Sequence, residues 1–98
     1  MKKIGIVGSG RWAKVTIKIL NNIFCGNIRF IIFTNYGIKQ IQSWICKENF
    51  QNNYFEVVSY DQIGTKLCDA YIVVNAPKDH FAISKNIISF GKPLIVEK

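Results

Sequence analysis

GIVGSGRWAK, residues 5–14, is the stretch on which the reading of this 98-residue chain turns. It continues an apolar run, Ile4 to Val7, that has the look of a short strand. Gly8, Ser9 and Gly10 follow. From Arg11 to Leu20 the spacing turns helical, with Ala13, Ile17 and Leu20 on one face. A strand, a small-residue turn and a helix, with Gly8-x-Gly10-x-x-Ala13 across the junction, is the context that a dinucleotide fingerprint requires. Each position has a physical task. Gly8 permits the tight turn. Gly10 leaves room for a pyrophosphate against the backbone. Ala13 is small enough for helix and strand to touch. The helix start adds free N–H groups and a positive dipole end. The plainer alternative is a glycine-rich turn that only joins strand to helix.

The rest of the chain repeats the alternation. Asn21-Asn22 and Gly26-Asn27 punctuate the exit from the first helix. Ile28 to Phe33 is continuously apolar apart from Arg29, as expected of a strand buried on both faces. Ile38, Ile41 and Ile45 space out a second helix, with Trp44 beside them. Phe55 to Val58 reads as a third strand, and Tyr60 to Leu67 as one or two helical turns. Ala70 to Val74 is a fourth strand. Asp79 to Phe90 is a third helix, with Gly91 as its C-terminal cap. Pro93 to Val96 is a fifth strand. Such an order predicts an α/β domain: a doubly wound parallel sheet of five strands, Rossmann-like, with helices on both faces. Ligands of such sheets sit at the carboxyl ends of the strands.

Composition narrows the classes. Apolar residues make up 49% of the chain, enough to build a core in one domain, 1–98. No run is long enough for a membrane helix, and Met1-Lys2-Lys3 leads into a strand pattern without a cleavable signal. The expected location is the cytoplasm. Cys25, Cys46 and Cys68 are widely spaced and odd in number, which argues against a disulfide scaffold or a zinc site. The net charge of +7 comes from scattered lysines without a nucleic-acid signature. The anionic partner it predicts is a small-molecule dinucleotide, not a nucleic acid or a membrane. At the end of the second strand, where an acidic residue would hold the ribose of NAD, the chain has Thr34-Asn35-Tyr36. Lys39 follows one turn on. That leans toward NADP over NAD. The bland alternative is that Asn35 caps the second helix.

The second half carries a further pattern in DAYIVVNAPKDHFAISKNIISFGKPLIVEK, residues 69–98. Asp69-Ala70, Ala76-Pro77, His80, Gly91-Lys92 and Glu97-Lys98 together resemble the N-terminal NAD(P)-binding domain of the Gfo/Idh/MocA oxidoreductases, the glucose–fructose oxidoreductase and inositol dehydrogenase family. With the opening motif, the resemblance spans the whole chain. Two departures stand out. His80 falls one residue sooner after Pro77 than in the family, though its spacing to Gly91 is the family's. The family's Glu-Lys-Pro leads into a substrate domain, whereas this chain stops at Lys98, so that domain is expected to be absent.

The resemblance implies a set of roles. Gly8, Ser9, Gly10, Arg11 and Trp12 would wrap the pyrophosphate. Thr34 and Asn35 would face the adenosine ribose. Asn75, Ala76 and Pro77 would pass beneath the nicotinamide-side ribose, with Glu97 and Lys98 near the nicotinamide. Lys98 would polarise the reacting carbon–oxygen group, and His80 is the single imidazole that could exchange a proton. The activity implied is hydride transfer to or from a sugar, polyol or related carbonyl compound, with no turnover from the 98 residues alone and with self-association or a second chain expected. Two other readings stay open: a non-catalytic nucleotide-binding or sensor module, and an interaction domain that has lost cofactor binding.

Overall fold

The structure, a computed structural model, describes residues 2–24, 27–48, 50, 55–74 and 77–96, with the backbone alone for 77–82. Nine elements follow one another among them: β1 (Lys2–Val7), α1 (Arg11–Ile23), β2 (Ile28–Phe33), α2 (Ile38–Glu48), β3 (Phe55–Val58), a 3-10 turn (Tyr60–Gln62), β4 (Ala70–Val73), α3 (Pro77–Ile88) and β5 (Leu94–Val96). The strands form one sheet in the order β3-β2-β1-β4-β5. Every pairing is parallel. The chain moves outward from β1 to β3, then returns to the other side of β1 for β4. That reversal makes a crevice between the carboxyl ends of β1 and β4, the place where such sheets take ligands.

Both faces of the sheet carry a packed core, as the largely apolar strands require. Successive strand residues point to opposite sides. Ile6, Phe30 and Ile32 join Ala13 and Ile17 of α1 and Ile41 of α2 in one core. Val7, Ile31, Phe33, Tyr71 and Val73 join Ile63, Cys68 and Ile87 in the other. One close fit depends on a missing side chain: a Cβ at Gly5 would lie 2.7 Å from the Tyr71 ring.

The elements match the sequence expectations in kind and differ at their ends. The first helix runs on through Asn21-Asn22 to Ile23, since two modest helix formers do not outweigh a helix already propagating. The third starts at Pro77 and ends at Ile88. Proline suits the first helical position, where its missing N–H bonds to nothing anyway. Gly91 adopts the left-handed φ of 69° expected of a helix stop, just past the turn that follows α3. The segment after β3 forms a single 3-10 turn. Asn35 does not cap α2. Gly37, with φ 66°, precedes that helix, and its carbonyl accepts the first bond from the Ile41 N–H.

Candidate functional site

The crevice is assembled by backbone bonds that continue the sheet past its strands. The Gly8 N–H donates to the Phe33 carbonyl at 2.9 Å, and the Val74 N–H donates to the Val7 carbonyl at 2.9 Å. The exits of β1, β2 and β4 therefore sit side by side. Gly8 turns the chain with φ 127°, a conformation that a side chain would strain.

Gly10 is different. Its φ of −81° and ψ of −163° are open to any residue. A Cβ built there meets nothing within 4 Å. It occupies the N-cap of α1 without supplying a side-chain cap, where Ser, Thr, Asp or Asn would bond a free N–H. Neither packing nor backbone geometry asks for glycine at this position. The first turn of α1 also holds no acidic residue, and it begins with the exposed Arg11. A cation at a helix N-terminus opposes the macrodipole. An anion seated there would reverse that penalty. Trp12 is exposed beside it, with the Arg11 guanidinium 6.0 Å from its ring centroid.

A cluster of hydroxyls ties this turn to the loop after β2. The Ser9 hydroxyl donates to the Tyr36 carbonyl at 2.8 Å, and the Thr34 hydroxyl donates to the same oxygen at 2.7 Å. The Tyr36 N–H returns a bond to Thr34 Oγ1 at 3.2 Å. The two hydroxyl oxygens lie 3.1 Å apart. Thr34 is only 2% exposed, so its hydroxyl serves the loop and not the surface. Asn35 is exposed, and its Oδ1 accepts the Tyr60 N–H at 3.0 Å. That orientation leaves the Asn35 amide N–H groups as the donors it can offer outward.

Gly8, Ser9, Gly10, Arg11, Trp12, Thr34 and Asn35 are thus brought to one end of the sheet. Pro77 and His80 lie in the first turn of α3, which starts three residues after Val74 at the same end. Asn75, Ala76, Glu97 and Lys98 lie outside the described residues. Tyr36, 72% exposed, is the residue that sequence reasoning missed. An aromatic three places beyond the end of an apolar strand is the available signal.

No protein-family model matches the chain, and no curated protein does. Its structure, in contrast, superimposes on the crystal structure of a Gfo/Idh/MocA family oxidoreductase from Vibrio cholerae with a TM-score of 0.73. The fold is Rossmann-like. The match extends over 100% of this chain and 30% of that one, at 16% sequence identity. This chain therefore spans less than a third of that enzyme's length, and what the two share is the Rossmann-like fold. Among the described residues no helix is long and apolar enough to cross a membrane.

Proposed function

We propose that this chain is the dinucleotide-binding domain of a nicotinamide-dependent oxidoreductase of the Gfo/Idh/MocA type. The observation that carries the proposal is Gly10: a glycine at an uncapped helix start, over open space, in a conformation that any residue could adopt. A pyrophosphate resting on the α1 N-terminus gives that glycine a reason. It also gives one to Arg11 in the first helical turn. Bound there, the cofactor would supply the hydride chemistry, while the protein holds and orients it.

NADP fits the loop after β2 better than NAD. No carboxylate stands at Thr34, Asn35 or Tyr36 to repel a 2′-phosphate. With its Oδ1 taken by the Tyr60 N–H, Asn35 keeps its amide N–H groups as donors, and the exposed Lys39 adds a cation in the first turn of α2. Asn75, Ala76, Pro77 and Glu97 complete the nicotinamide side in this reading. Lys98 polarises the reacting carbonyl, with His80 as the imidazole that could exchange a proton. A sugar, polyol or related carbonyl compound is the substrate class.

Isothermal titration calorimetry tests the proposal. NADPH should bind the folded chain more tightly than NADH. Gly10→Val should abolish binding while leaving the thermal transition within a few degrees of the parent. Asn35→Asp should reverse the preference by placing a carboxylate against the 2′-phosphate. A folded parent chain that binds neither dinucleotide, or a Gly10→Val chain that binds them undiminished, would overturn it.

A further inference from the structure

A second feature lies on the helical layer, away from the glycine turn. Helices α1 and α2 carry Arg11, Lys14, Lys18, Lys39 and Lys47 against one carboxylate, Glu48. That carboxylate is taken: Lys18 Nζ lies 3.0 Å from Glu48 Oε1. Between the helices runs a groove of about 330 Å³, lined by Lys14, Gln40, Ser43, Trp44 and Lys47. It shares no lining residue with the candidate dinucleotide site. Its volume is at the lower end of small-molecule sites.

The lining is chemically one-sided. Lys14 and Lys47 bring two ammonium groups with no carboxylate left for them on either helix. Lys14 Nζ sits 5.9 Å from the centroid of the Trp44 ring, so its charge is turned toward the groove wall and not out along a solvated stem. Ser43, Gln40 and the Trp44 indole add hydroxyl and N–H donors. Trp44 is half-buried and braced edge-on by Phe50 with ring centroids 5.6 Å apart, which gives the groove a firm floor. Two positive charges with neutral donors around them suit a dianion whose several oxygens can each accept a bond. Lysine ammonium groups act on a phosphate as point charges, without the planar fork of an arginine. The groove is also too large for a bare anion. We propose that the α1–α2 groove is a binding site for a small molecule carrying a phosphomonoester, with the phosphate between Lys14 and Lys47 and the body of the ligand along Trp44.

Trp44 is also the reporter. In a Trp12→Phe background it is the sole tryptophan, and titration with ribose 5-phosphate should change its emission saturably. Lys14→Gln and Lys47→Gln should each weaken binding about three- to tenfold, the span for losing a partly exposed charge-assisted contact. Lys85→Gln removes the same charge from α3 and should leave affinity unchanged. Gly10→Val should also leave it unchanged, which separates this site from the dinucleotide crevice. Inorganic phosphate should bind more weakly with the same dependence on Lys14 and Lys47. The proposal fails if emission does not saturate, if unphosphorylated ribose binds as well, or if Lys85→Gln costs as much as the groove variants.

Discussion

Three glycines in and beside the opening turn are there for three reasons, and the structure separates them. Gly8 is held at φ 127°. Gly10 faces open space. Gly5 lies under a ring: its added Cβ would meet Tyr71 at 2.7 Å and the Cys68 sulfur at 3.1 Å. Tyr71 cannot easily move away, because its hydroxyl accepts the Cys68 N–H at 2.9 Å inside the core. Gly5→Ala should therefore destabilise the domain by about 1–3 kcal/mol, the usual range for overpacking, as read by urea unfolding. A loss no larger than that of Gly10→Ala would contradict it. The same corner has a pH signature. Burial pushes the Cys68 thiol from 9.0 up to about 11, only partly offset by its hydrogen bond with Tyr71 and by the Lys3 charge. Burial pushes the Tyr71 phenol upward as well. A raised pKa on an acid means that the unfolded chain releases the proton first. Stability should hold below about pH 9 and fall as the pH rises from there toward 11. Cys68→Ala should flatten that fall in unfolding curves taken across the window. An equal fall in the variant would count against Cys68 as its source.

At the scale of elements, the turn after β1 and the loop after β2 behave as one unit. Ser9 and Thr34 converge on the Tyr36 carbonyl, and Tyr36 answers through its N–H. Thr34→Val removes a buried donor and a buried acceptor together, and should cost about 1–3 kcal/mol. Ser9→Ala, nearer the surface, should cost less than about 1 kcal/mol. Because both act on one oxygen, their effects should not add, with a coupling of about 0.5–1 kcal/mol in a double-mutant cycle. Strict additivity would mean that the two loops are independent. This unit also marks the limit of what could be read from the sequence. The alternation of elements, the parallel sheet and the glycine turn are all legible, because period, β-branching and glycine placement are local signals. Thr34 is legible as the end of a strand, but not as a residue whose hydroxyl turns inward to its own loop. Short polar side chains choose between backbone, neighbour and solvent on geometry that only the folded chain supplies. The unneeded glycine was likewise visible as a motif. Only the empty space above Gly10 distinguishes it from a turn residue.

The molecule as a whole sets a net positive charge against an exposed apolar margin. Its net charge is +7. Among the described residues β5 pairs with β4 alone and leaves its other edge open. Leu94 and Val96 stand opposite Tyr71 and Val73, and Ile95 opposite Ile72. Register partners share a face, so Ile95 points to the α1–α2 side. Those two helices cover β1, β2 and β3 and stop short of β5, which leaves Ile95 63% exposed. Val96, next to it in the strand, is 42% exposed. An open parallel edge with apolar side chains on it is a template for association. The charge opposes that contact over a range that salt shortens, from about 30 Å at 0.01 M to about 8 Å at 0.15 M. Self-association should accordingly be weak at low ionic strength and should strengthen as salt rises, the reverse of an ion-paired interface. Ile95→Lys adds a charge at the centre of the margin and should abolish the association at every salt concentration without lowering the unfolding free energy by more than about 0.5 kcal/mol, since the side chain is already in water. Sedimentation velocity across a concentration series at two ionic strengths measures both effects. A monomer at all concentrations in high salt, or association that salt disrupts, would show that β5 does not pair in this way.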